Sequence, residues 1–80
     1  MSTIEKLNQV ILKLRKKNIT ADMLTPEARF QQDLGFDSQD QTELLVLAED
    51  AFKISMELSD VKDLTTIAAA VAYIDKKLAK

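Results

Sequence analysis

The chain has no cysteine, no histidine and no tryptophan among its 80 residues, and only one glycine and one proline. Each absence closes off a class of chemistry or structure. Without Cys there is no disulfide, no thiolate nucleophile and no zinc site of the usual Cys/His type, so no oxidising compartment is required. Without His there is no imidazole base, and of the usual enzyme kit carboxylate-based chemistry is what survives. The longest uncharged run, Leu64 to Ile74, falls well short of the ~20 apolar residues that span a bilayer, and no apolar leader follows Met1. The expectation is a cytoplasmic protein that is no enzyme and has no membrane partner.

What is present is 46% hydrophobic and 30% charged residues, the balance of a folded soluble chain. The length suits a single domain over residues 1–80 with a small core and no room for a large catalytic cleft. The net charge of −2 hides an uneven distribution. Residues 1–21 set Lys6, Lys13, Arg15, Lys16 and Lys17 against Glu5, whereas residues 22–63 set eleven acids against Arg29, Lys53 and Lys62. An acidic middle repels nucleic-acid phosphates and steers toward basic protein surfaces; the same charges also serve as a plain solvated exterior. The one basic cluster, Lys13 to Lys17, lacks interleaved aromatics, which speaks against nucleic acid.

Scarce helix breakers, both between residues 18 and 38, imply an all-helical protein with one long loop. Ile4, Leu7, Ile11 and Leu14, widened by Val10, predict a helix over Thr3–Lys17, with Ser2 and Glu5 at capping-box spacing and Lys16 and Lys17 near its C-terminal dipole. Thr25-Pro26-Glu27 suits one short helical turn. A second helix is expected over Gln39–Phe52, with Leu44, Leu47, Ala48 and Ala51 on one face and Ser38 and Gln41 as a second capping box. A short third helix near Ser59–Lys62 and a last one from Thr65 or Thr66, carrying Ile67, Ala70, Val71, Ile74 and Leu78, complete a small four-helix bundle of three main helices and one minor one.

The segment from Asp33 to Phe52 holds six acids and no base. On the second helix Asp40, Glu43 and Asp50 fall at i, i+3 and i+10 and share a face, with Glu49 beside it. At its tip stands Ser38, preceded by Asp37. Two readings of Ser38 stand side by side: a helix cap, or a hydroxyl that another enzyme modifies at a helix N-terminus favourable to phosphate. It has no His or Lys to make it a nucleophile of its own.

Asp33-Leu34-Gly35, Asp37-Ser38, Asp40, Glu43-Leu44, Glu49-Asp50 and Phe52 resemble the 4′-phosphopantetheine attachment signature of acyl carrier proteins. The likeness runs along the whole chain, from Ser2-Thr3-Ile4-Glu5 through Phe30 to Thr65-Thr66-Ile67 and Tyr73-Ile74. It implies a stand-alone carrier, monomeric, with Ser38 joined by a phosphodiester to 4′-phosphopantetheine donated by coenzyme A. It also implies that Asp37 orients that serine and the magnesium of a phosphopantetheinyl transferase. Asp40, Glu43, Glu49, Asp50 and Gln39 would then dock on basic patches of acyl transferases, ketosynthases and related synthase enzymes, through contacts that are weak and salt-sensitive. Phe30, Leu34, Thr42, Leu44, Leu45, Ala48, Met56, Val61, Leu64 and Ala70 would both form the core and part to shelter an acyl chain.

The chain also departs from the pattern. Gln39 stands where Leu is usual, Thr42 where Val is common, and Ala51 where an acid is frequent. The Thr42 hydroxyl would either make the acyl channel less apolar or bond back to a helix carbonyl. These changes point to a specialised acyl or polyketide pathway rather than bulk fatty acid synthesis. The motif Asp-Leu-Gly-Phe-Asp-Ser differs from the Gly-Gly-x-Ser common in peptidyl carriers. An unmodified helical interaction module of the same fold is the competing reading, and it would be indifferent to Ser38→Ala.

Overall fold

The computed structural model describes residues 2–14 and 19–79. Four α-helices follow one another: α1 Thr3–Lys13, α2 Ser38–Phe52, α3 Leu58–Val61 and α4 Ile67–Leu78, with a 3-10 turn at Ala21–Met23 in the long loop. Among the described residues the only β pairing is a single antiparallel bridge between Arg29 and Thr66. The expected all-α bundle, with three main helices and one short one, is the observed architecture.

Helix α1 begins with a reciprocal capping box. Ser2 Oγ accepts from the Glu5 amide, and Glu5 Oε1 accepts from the Ser2 amide at 3.0 Å. Leu7, Val10 and Ile11 recur at i, i+3 and i+4 and are buried. The helix ends at Lys13, with Leu14 as its C-cap, short of the expected Lys17. Lys16 and Lys17, expected at its C-terminal dipole, lie outside the described residues.

The long loop is stitched to the start of α4. The Phe30 amide donates to Thr65 O, the Ile67 amide to Ala28 O and the Ala68 amide to Pro26 O, at 2.9 to 3.0 Å. Thr66 Oγ1 accepts from the Ala69 amide at 3.1 Å. The first three amides of α4, orphans in any isolated helix, therefore all have acceptors. The short helical turn expected at Thr25-Pro26-Glu27 is a tight turn closed by the Ala28 amide on Thr25 O, and the 3-10 turn lies upstream of it. Gly35 adopts φ +69°, the left-handed region where a side chain is strained. The turn brings the Phe36 ring to 5.5 Å from that of Phe30, and both rings are buried.

Helix α2 starts one residue before expectation, and its cap differs. Asp37, extended at φ −104° and ψ −174°, is the N-cap, and Asp40 closes the capping box. Ser38 is instead the first helical residue and Gln41 is buried. The expected Ser38/Gln41 box is thus replaced by Asp37/Asp40, because the chain turns into the helix one residue earlier: the Asp37 carboxylate takes the Asp40 amide and its carbonyl takes the Gln41 amide. The helix closes at Lys53 in the left-handed region, φ 56°, with the Lys53 and Ile54 amides both donating to Glu49 O.

Helix α3 is one turn, displaced by one residue from expectation, and buries Val61. On α4 Ile67, Ala70 and Ile74 are buried, but Leu78, expected on the same face, is 46% exposed because the helix outruns the core. Leu7, Ile11, Ile67 and Ile74 are the largest fully buried side chains, each worth about 1.5–3 kcal/mol of transfer free energy. Polar ties bind the helices at their rims. Thr3 Oγ1 donates to Asp75 Oδ1, Tyr73 Oη donates to Asp60 Oδ2 at 2.9 Å, and Lys6 Nζ lies 5.2 Å from the Phe52 ring centre.

Candidate functional site

The Asp37/Asp40 box shapes the tip of α2. Asp37 Oδ1 accepts from the Asp40 amide at 2.9 Å, and Asp40 Oδ2 accepts from the Asp37 amide at 3.0 Å. With capping assigned to Asp37, the exposed Ser38 hydroxyl makes no hydrogen bond to any described residue. The Ser38 and Gln39 amides likewise have no acceptor among the described residues, which leaves two donors and the positive end of the helix beside that hydroxyl. Ser38 O accepts from Thr42 Oγ1 at 3.0 Å. Of the two outcomes open to Thr42, the bond back to a helix carbonyl is the one observed.

The acids fall into two groups. Glu43 and Asp50 are exposed, Asp50 lying 3.9 Å from Lys53 Nζ across solvent, a pair worth little. Asp40 and Glu49 are half-buried and structurally engaged, Asp40 in the cap and Glu49 by accepting the Met56 amide on Oε2 at 2.8 Å. Gln39 is exposed. Between Glu43 and Asp50 stands Val46, 57% exposed, an apolar point in an acidic surface that pattern reading missed. Its position three after Glu43 and four before Asp50 is the signal that locates it.

Asp33, in the middle of the acidic segment, holds a turn. Its Oδ2 accepts from the Arg29 amide at 2.8 Å and faces Arg29 Nε at 3.4 Å. The Arg29 amide first, and then its side chain, hold the Asp33 carboxyl below its ordinary value.

Beneath α2 the helices enclose a cavity of about 20 Å³. Eight residues expected there line it: Phe30, Leu44, Leu45, Ala48, Met56, Val61, Leu64 and Ala70. Leu34 and Thr42 do not. Leu34 is packed into the core elsewhere, and Thr42 is exposed and tied to the backbone. Leu7, Ile74 and Gln41 line it unexpectedly. Gln41 was legible in principle, since it sits three residues before Leu44 and seven before Ala48, on the helix stripe that faces inward. The space admits roughly one water-sized group, so any chain entering it must move the helices apart.

Among the described residues no helix is long and apolar enough to cross a membrane, and no cluster of acids has the form of a metal site.

Comparison with known proteins adds the family. The family model described as "Phosphopantetheine attachment site" matches residues 7–74. An acyl carrier protein of Nitratidesulfovibrio vulgaris (strain DSM 19637 / Miyazaki F) is 36% identical over 77 residues, which cover 96% of this chain and 99% of the relative. An acyl carrier protein of Solidesulfovibrio magneticus is 32% identical over 77 residues, covering 96% of each chain. The resemblance carried by Asp33-Leu34-Gly35 and Asp37-Ser38 thus extends across the fold, and the chain belongs to the acyl carrier proteins, carriers rather than enzymes, whose cofactor is 4′-phosphopantetheine.

Proposed function

We propose that Ser38 is the attachment point, taking 4′-phosphopantetheine from coenzyme A through a separate phosphopantetheinyl transferase. The observation that carries this reading is the division of labour at the tip of α2. Asp37 caps the helix, so the Ser38 hydroxyl is exposed and unengaged, beside the amides of Ser38 and Gln39 that a phosphate would satisfy. Bound there, the group supplies the thiol that a chain without Cys lacks, and acyl groups are held on it as thioesters. Asp37 keeps a second carboxylate oxygen for the transferase and its magnesium.

The partners proposed are synthase enzymes with basic docking patches, acyl transferases and ketosynthases among them. Glu43 and Asp50 are the acids best exposed to meet them, with Gln39 and Val46 between and beside. Asp40 and Glu49 join that surface while serving the fold. Docking through exposed charges is fast and weak, which suits a carrier that must leave each partner in turn. The setting proposed is cytoplasmic, in fatty acid synthesis or a specialised acyl or polyketide pathway. Gln39 and Thr42 favour the specialised one, since neither offers the apolar contact of the Leu and Val usual there.

The test is intact-protein mass after incubation with coenzyme A, magnesium and a broad-specificity transferase, with Ser38→Ala alongside. A gain of one phosphopantetheine on the wild type alone is expected. A gain that persists in Ser38→Ala, or none in the wild type with several transferases, overturns the assignment.

A further inference from the structure

Gln41 is the one polar residue buried among the described residues, at 8% exposure. It lines the inner cavity, whose accessible surface is almost entirely carbon, so Gln41 presents its aliphatic stem there. Together with Phe30 and Leu64 it also lines an adjoining groove of about 160 Å³, where Gln31, Lys62 and Thr65 supply polar groups. These three shared residues form the wall between a polar exterior and an apolar interior. On α2, Ser38, Gln41, Leu44 and Leu45, and Ala48 follow at helical spacing along one stripe, so a route from the helix tip into the cavity passes Gln41.

The Gln41 side-chain amide makes no hydrogen bond to any described residue, whereas its backbone amide donates to Asp37 O at 3.1 Å. A primary amide carries two donor hydrogens and an acceptor oxygen, and neither polar atom of Gln41 is among the fully buried ones without a partner, so the group meets water at the groove. A saturated chain drawn past it would strip its water and offer nothing in return. A chain bearing an oxygen close to its thioester would replace that water with a direct bond.

We propose that Gln41 is a cargo-selecting residue, favouring acyl groups that carry a hydroxyl or carbonyl oxygen on the carbons next to the thioester. The inference rests on attachment of the arm at Ser38. The arm's own amides offer similar hydrogen-bonding chemistry, but the inner cavity is walled almost wholly by carbon and suits acyl carbon, which sets the carbons next to the thioester at its mouth, where the Gln41 amide stands. The acyl oxygen is therefore the partner assigned.

The experiment uses the full chain, its single phosphopantetheine on Ser38 verified by mass, in three forms: bare, octanoyl-loaded and β-hydroxyoctanoyl-loaded. The readouts are the Gln41 side-chain NH₂ resonances and the rate of thioester cleavage by hydroxylamine, normalised to the same thioester on free pantetheine. The Gln41 resonances are expected to shift with the β-hydroxy chain alone. That thioester should be protected about fivefold more than octanoyl, the factor that one net hydrogen bond of ordinary strength makes. In Gln41→Leu the order of protection should reverse. Equal protection in the wild type, or an unchanged order in Gln41→Leu, overturns the inference. A Gln41 shift already present with the bare arm overturns it in favour of the arm's amides. If Gln41→Leu does not fold, Gln41→Met and the wild-type resonances decide. Failure to load Ser38 at all is seen first, in the mass; it overturns the attachment reading and this inference with it.

Discussion

The Glu49 carboxylate accepts the Met56 amide at 2.8 Å, spanning the connection from α2 to α3 and fixing the residue that closes one side of the cavity. An acid on the docking helix is thus also the anchor of a loop. Glu49→Ala leaves a half-buried amide without its acceptor and should cost about 1–3 kcal/mol in urea unfolding. Glu49→Gln, which keeps an acceptor oxygen, should recover most of that. Glu43→Ala and Asp50→Ala should stay within about 0.5 kcal/mol of the wild type while weakening salt-sensitive docking on a basic partner. Equal stability losses at all three acids would contradict the division described.

Asp37, rather than Ser38, caps α2. Asp37→Ala should therefore lose about 1 kcal/mol of stability, whereas Ser38→Ala should fold with an unchanged denaturation midpoint although it can no longer be modified. Denaturant titration of the two variants side by side checks this. A large loss in Ser38→Ala would return the cap to the serine.

Gly35 sits at φ +69° with open space where a Cβ would go. Only backbone strain opposes a side chain there, so Gly35→Ala should cost about 1–2 kcal/mol. D-alanine introduced by chemical synthesis should be tolerated, because its mirror-image preference matches the turn. Thermal melts of the two proteins distinguish strain from packing, which would penalise both.

Two carboxyls are held below their ordinary values, Glu5 by the Ser2 amide and then its hydroxyl, and Asp33 by the Arg29 amide and then its side chain. A pKa lowered in the folded state means their stabilisation is complete above the ordinary carboxylate range. It is lost as pH falls through that range and below it. The urea midpoint should drop across this interval, and less steeply in the Glu5→Gln, Asp33→Asn double variant. An equally steep fall would assign acid sensitivity to other groups.

Much of this arrangement is legible in the chain, and the exceptions have physical causes. The α1 stripe of Leu7, Val10 and Ile11 and the Ser2/Glu5 box are local patterns, so they read directly. The cap of α2 does not, because Asp37 and Ser38 are both good caps and only the extended backbone of Asp37 decides between them. Phe36 has no periodic neighbour to announce its burial, which comes from Phe30 across the Gly35 turn. Leu78 continues the pattern of Ile67, Ala70 and Ile74, but periodicity cannot show where the opposing surface ends. At the candidate site the sequence located the acids, while the engagement of Glu49 depends on an amide seven residues away. Gln41 reads as a capping partner of Ser38, and a polar residue in an acidic, exposed-looking segment gives no composition signal of burial.

The carbonyls of Pro26 and Ala28 complete the first turn of α4 across some forty residues of chain. No local segment containing α4 can supply these acceptors, so the helix cannot be finished before the loop has come home. Closing so long a loop is slow relative to helix growth, which sets the last helix late in the order of assembly. The amides of Ile67 and Ala68 should consequently exchange with solvent only when the loop lifts away, making them reporters of the loop's departure rather than of fraying at the helix end.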